Sequence, residues 1–160
     1  MTTALDIGDP AVRLQHALDL AYRYLGHRDR TVAEVRRHLE AKRVEPATIE
    51  DAVGELVEQG YLDDARYARR FAEDRRLLDA WGAERIERKL LAAGVTAELV
   101  AAAVEAQDAE DELDAAVAFL GRRFPEPPAT DRDRDRALGM LVRKGYELEL
   151  AHDAIRAYRG

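Results

Sequence analysis

Apolar side chains recur at helical intervals along almost the whole chain. Val32, Val35 and Leu39 follow an i, i+3, i+7 scheme, and Ile49, Ala52, Val53, Leu56 and Val57 follow it too, as do Tyr67, Ala68, Phe71 and Ala72. One helical turn takes 3.6 residues, so each set lies on a single helix face. No stretch sustains the apolar–polar alternation that a half-buried strand needs. The pattern predicts an all-α protein.

Start and stop signals divide this pattern into about nine helices. Thr31-Val-Ala-Glu34 reads as a capping box. Asp63 is the expected N-cap of a later helix, with Leu62 and Tyr67 at the two positions of a hydrophobic staple. Pro46 suits a first turn, and Thr96 and Thr130 are further N-cap candidates. Gly26, Gly60, Gly94, Gly121 and Gly145 stand where helices are expected to stop, since glycine accepts the left-handed conformation after a helix end. The only loop-like composition, Phe124-Pro-Glu-Pro-Pro-Ala-Thr130, is expected to join two helices.

The helices repeat. Leu39, Leu90 and Leu141 recur at intervals of 51 residues. The same interval relates Arg43, Gly94 and Gly145; Val44, Val95 and Tyr146; Ala52, Ala103 and Ala154; and Val53, Val104 and Ile155. Agreement in register across several columns points to a tandem array. The expectation is an N-terminal tail at 1–13 and three three-helix, helix-turn-helix-like repeats at 14–60, 61–107 and 108–160. A lone unit of this size is marginal, so neighbours should share core surface in an elongated array.

Charge adds to this picture. The net charge of −7 argues against a nucleic-acid binder. Its distribution is uneven, however: residues 13–43 carry eight positive and four negative side chains, 44–64 seven negative and none positive, and 65–94 eight positive and five negative. Residues 95–118 again carry seven negative and none positive, and 119–160 nine positive against seven negative. Such blocks can separate onto basic and acidic faces of an array. The apolar runs are too short to span a bilayer, and no signal pattern opens the chain. A cytoplasmic protein without a membrane partner is expected.

Several chemistries lack their residues. The chain has no cysteine and no serine, which removes thiolate, cysteine–zinc and serine-nucleophile chemistry. His16, His27, His38 and His152 fit no HExxH or comparable metal pattern. No phosphate-binding glycine loop is present, and no catalytic carboxylate pair stands out from the solvated acidic faces. The expectation is a protein with no metal, no cofactor, no small-molecule substrate and no enzymatic activity.

Two stretches carry the most specific pattern. The first is Gly60-Tyr-Leu-Asp-Asp-Ala-Arg-Tyr-Ala-Arg-Arg-Phe71, and the second is Gly82-Ala-Glu-Arg-Ile-Glu-Arg-Lys-Leu-Leu-Ala-Ala-Gly94. Leu62, Asp63, Asp64, Tyr67, Ala68, Phe71, Gly82, Ile86, Leu90 and Gly94 form their framework; Tyr67, Phe71, Ile86 and Leu90 read as packing residues, and Gly94 as a helix end. Trp81 reads as a core anchor or an interface anchor. Arg66, Arg69, Arg70, Arg75 and Arg76 fall on one predicted helix, and Arg85, Arg88 and Lys89 on the next. These cations read either as a solvated face paired to Glu73, Asp74 and Glu84 or as a patch for DNA phosphates or an acidic protein surface.

Together the two stretches resemble the signature of the RecX family, and the resemblance extends from about residue 14 to the end, strongest over 60–94. The chain departs from the common pattern at Ala83-Glu84 and at Arg88-Lys89. The resemblance implies tandem three-helix repeats and docking on the filament that the RecA recombinase forms on single-stranded DNA; a monomer is expected. RecA would be the main partner and the DNA backbone a second one, with inhibition of strand exchange and ATP hydrolysis. Two other readings suit the residues: a free-standing helix-turn-helix DNA-binding protein, against which the acidic third helices count, and a helical-repeat adaptor for another protein.

Overall fold

In the computed structural model, which describes residues 8–160, local capping chemistry sets most helix boundaries. Asp9 accepts a hydrogen bond from the Ala11 amide, and Pro10 occupies the first turn, so α1 runs Pro10–Leu25. Helix thus begins inside the stretch expected as a tail, because the Asp-Pro pair is itself a helix start; residues 1–7 of that stretch lie outside the described residues. Thr31 and Glu34 form the reciprocal capping box that opens α2, Val32–Ala41. Pro46 opens α3, Pro46–Glu58. Asp63 accepts from the Arg66 amide at the head of α4, Asp64–Asp79. α5 spans Ala83–Ala92, and α6 spans Ala97–Glu105 behind Thr96, whose side chain makes no capping bond. Asp108 caps α7, Ala109–Arg123, and Thr130 caps α8, Asp131–Lys144. α9, Leu148–Ala157, completes the order. Among the described residues every regular element is a helix.

Gly121 does not end a helix. α7 continues through it to Arg123. Leu120 and Phe124, one turn apart, are both buried in the same core, so packing carries the helix past the glycine. The chain from Phe124 to Thr130 does join α7 to α8.

Packing divides the chain into two units, one running to Tyr67 with Ala93–Val95 added, the other comprising Ala68–Ala92 and Thr96–Gly160. In the first, Ala17, Leu18 and Ala21 of α1 meet Val35 and Leu39 of α2 and Ile49, Ala52, Val53 and Leu56 of α3, with Leu62 closing the core. In the second, α7, α8 and α9 surround Phe119, Leu120, Leu141 and Tyr146; α5 packs on α6, and Ile86 and Leu90 of the one and Val100 and Ala103 of the other are buried.

The repeat is visible in backbone conformation. Leu39, Leu90 and Leu141 are all fully buried. Four residues after each, Arg43, Gly94 and Gly145 adopt φ of 62°, 87° and 100°. In the first and third turns the next amide, Val44 or Tyr146, donates to the leucine carbonyl at 3.1 Å. This is the closing bond of a helix ended by a left-handed residue.

Two of these turns receive the start of a second helix. The Thr31 hydroxyl donates to the Ala93 carbonyl at 2.6 Å, and the Gly82 amide donates to the Lys144 carbonyl at 2.8 Å. Thr31 and Gly82 are one repeat interval apart, and so are Ala93 and Lys144. A β-carbon on Gly94 would lie 2.3 Å from that of Ala33, and one on Gly145 would lie 2.3 Å from that of Arg85. Glycine is therefore required at both turns for closeness as well as for φ.

Candidate partner and nucleic-acid interface

The basic side chains of α4 and α5 separate by what the fold asks of them. Arg66 turns back and donates to the Gly60 carbonyl at 2.8 Å, closing the end of α3. Arg75 pairs with Asp79 at 2.5 Å and lies 5.9 Å from the ring centres of both Phe71 and Trp81. Arg76 donates to the carbonyls of Ala103 and Val104, each at 3.0 Å, and so caps the C-terminus of α6. Burial lowers its pKa, opposed by the carboxylates of Glu112 and Glu73. Arg85 stacks 4.1 Å from the centre of the Trp81 ring and donates to the Arg143 carbonyl at 3.1 Å.

Four cations of the set remain on the exposed surface: Arg69 and Arg70 on α4, and Arg88 and Lys89 on α5. Arg88 borders an open groove that also holds Glu84, Glu87 and Leu91, so the α5 surface is mixed in sign. The last turn of α4 exposes two leucines, Leu77 at 84% and Leu78 at 69%. One helix that exposes both arginines and large apolar side chains has the composition of a protein-docking surface.

The framework residues lie where packing demands. Leu62, Ala68, Ile86 and Leu90 are buried, and Asp64 accepts a hydrogen bond from the Val32 amide at 3.0 Å, tying the head of α4 to that of α2. Tyr67 and Phe71 are half-buried, and burial is the largest of the influences that raise the Tyr67 phenol. Trp81 is also half-buried, edge-on to Phe71 with ring centres 6.0 Å apart. Gly82 permits its helix start to reach the Gly145 turn; a β-carbon there would lie 2.5 Å from backbone atoms of Gly145 and Tyr146. The capping role of Glu112, whose carboxylate accepts from the Ala83 amide at 2.8 Å, has no local pattern that would announce it. Among the described residues no group of His, Asp or Glu is arranged to hold a metal ion, and no helix is long and apolar enough to cross a membrane.

Comparison with known proteins places this scaffold. Residues 17–56 match the model of the first three-helix domain of RecX, and residues 63–104 that of the second. The chain belongs to the RecX family. The regulatory protein RecX of Trichlorobacter lovleyi is 36% identical over 134 residues, covering 81% of this chain and 87% of that one. The RecX of Leptothrix cholodnii is 31% identical over 136 residues, covering 85% of each. The crystal structure of RecX from Lactobacillus salivarius superposes with a TM-score of 0.80 at 17% identity, over 91% of this chain and 96% of that one, which shows the shared all-helical fold. The two matched RecX domains correspond to α1–α3 and α4–α6, and they end before α7 begins.

Proposed function

We propose that this chain is a regulator, rather than a catalyst, that acts in the cytoplasm on the RecA filament and lowers strand exchange and ATP hydrolysis. The observation that carries the reading is the match of both three-helix domains to the RecX family. The surface supports it: Arg69 and Arg70 are exposed on α4, which also exposes Leu77 and Leu78, and Arg88 and Lys89 are exposed on α5. In this reading the chain docks as a monomer, RecA supplies the protein surface, and the single-stranded DNA backbone is the secondary partner. Phosphate contacts would make affinity fall as salt rises. The test follows ATP hydrolysis by RecA on single-stranded DNA with substoichiometric additions of this protein, and binding to bare DNA as control. A fall in hydrolysis with weak bare-DNA binding is the expected result. No effect at any ratio on RecA from the same source would sink the reading in favour of an adaptor for another protein.

A further inference from the structure

The turn that ends α2 departs from its two counterparts in a way that packing does not require. At the equivalent position Gly94 and Gly145 combine positive φ with a helix start pressed against them. The first repeat has an arginine there, Arg43, held at φ 62°. Side chains are disfavoured in this left-handed region, and strained residues of this kind concentrate at functional sites. Here the residue is exposed, as is Lys42 before it.

What surrounds Arg43 is an open concavity of about 260 Å³ between α1 and the α2–α3 turn. Arg13, His16, Lys42 and Arg43 line it, with Glu45 as the one carboxylate. Arg13 lies 3.5 Å from Glu45, a pair whose members are 33% and 64% exposed and so bind each other weakly. The Nε of Arg13 is buried without a hydrogen-bond partner. Thr48, also on the wall, belongs to the first turn of α3, whose N-cap Glu45 makes no side-chain capping bond. Three permanent cations and an uncapped helix start therefore border one cavity. That combination selects a multiply hydrogen-bonding anion of phosphate size.

We propose that the Lys42–Arg43 turn is a phosphate-binding site for the backbone of single-stranded DNA, separate from the cations of α4 and α5. The site rests on the reading of the chain as a filament regulator with DNA as secondary partner, but its test needs no recombinase. Arg43→Gly is the informative variant, because glycine suits the left-handed turn while the guanidinium is removed. Lys42→Gln removes the neighbouring charge on the exposed surface.

Binding of a labelled oligothymidylate is measured against salt for the wild type and both variants, with thermal unfolding alongside. The expected result is about fivefold weaker binding in each variant, and a salt slope reduced by about 0.7 for each phosphate no longer held, with unfolding temperature kept or raised for Arg43→Gly. Unchanged affinity and slope overturn the site. NMR shifts at Arg43 separate the phosphate sources: movement with oligothymidylate supports the assignment, whereas movement with inorganic phosphate alone overturns the nucleic-acid part. If RecA hydrolysis is inhibited equally by wild type and Arg43→Gly while oligothymidylate binding is unchanged, this site fails and the regulatory reading stands. If wild type leaves hydrolysis untouched while Arg43→Gly weakens oligothymidylate binding, the regulatory reading fails and the site stands.

Discussion

Gly94 meets Ala33 so closely that a β-carbon on the glycine would sit 2.3 Å from that of the alanine. Gly145 stands in the same relation to Arg85. Alanine at either position adds a collision to a left-handed backbone. Gly94→Ala and Gly145→Ala are each expected to lower stability by about 2–4 kcal/mol in chemical denaturation. Arg43→Gly, at the counterpart without such a neighbour, should change it by no more than about 1 kcal/mol, relief of strain offsetting the freer unfolded chain. Equal losses at all three positions would show that the joints are not what requires glycine.

Arginines of one helix should separate by assay. Arg76 caps α6 through two carbonyls, so Arg76→Ala is expected to lower stability by about 2–3 kcal/mol. Arg69 is exposed, and Arg69→Ala should fall within about 0.5 kcal/mol of wild type. Arg69→Glu and Arg88→Glu should keep the unfolding temperature and weaken the effect on RecA hydrolysis. Loss of that effect through Arg76→Ala alone, with stability retained, would reverse the two roles.

His38 stacks on Tyr24 with ring centres 4.0 Å apart. Burial lowers its pKa below 6.5, and the charges of Lys42 and Arg30 lower it further. The unfolded chain therefore takes up this proton first as pH falls. Stability from His38 is present above about pH 6.5 and is lost as pH drops through the lower folded value. An NMR titration should place the His38 midpoint below 6.5 and move it upward in Lys42→Gln; a midpoint at or above 6.5 in the wild type contradicts this.

Tyr146 gives the opposite limb. Its hydroxyl donates to the Ala80 carbonyl at 2.8 Å, and burial, aided by Glu112, pushes its pKa up to about 12. The unfolded chain loses this proton first, near pH 10. The contribution is therefore complete below about pH 10 and disappears as pH rises toward about 12. Tyr146→Phe should lose about 1 kcal/mol at neutral pH with the hydrogen bond and show a shallower alkaline decline. An identical alkaline slope in both proteins would remove Tyr146 as its cause.

Caps and repeat columns were legible because they are local or periodic. Thr31 with Glu34, Asp63, Pro46 and Thr130 each act within one turn of chain, and the leucine column at 39, 90 and 141 states its own spacing. Gly121 misled because its stop signal is local while the burial of Leu120 and Phe124 that overrides it is tertiary. The division of the arginines was illegible for the same reason: whether Arg76 faces solvent or the end of α6 depends on where Ala103 and Val104 lie. Arg43, outside that set, did leave a sign: an arginine in a column otherwise filled by Gly94 and Gly145.

The joints also bear on how the chain is made. Thr31 bonds to Ala93, and Gly82 to Lys144, in each case 62 residues further on. Both bonds point the same way along the polypeptide. During synthesis from the N-terminus, α2 cannot complete its docking until the turn after α5 has left the ribosome, nor α5 until the turn after α8 has emerged. Each stretch must wait for one not yet translated, so assembly is ordered in time, and a stalled or truncated product leaves Thr31 or Gly82 without the turn it docks on.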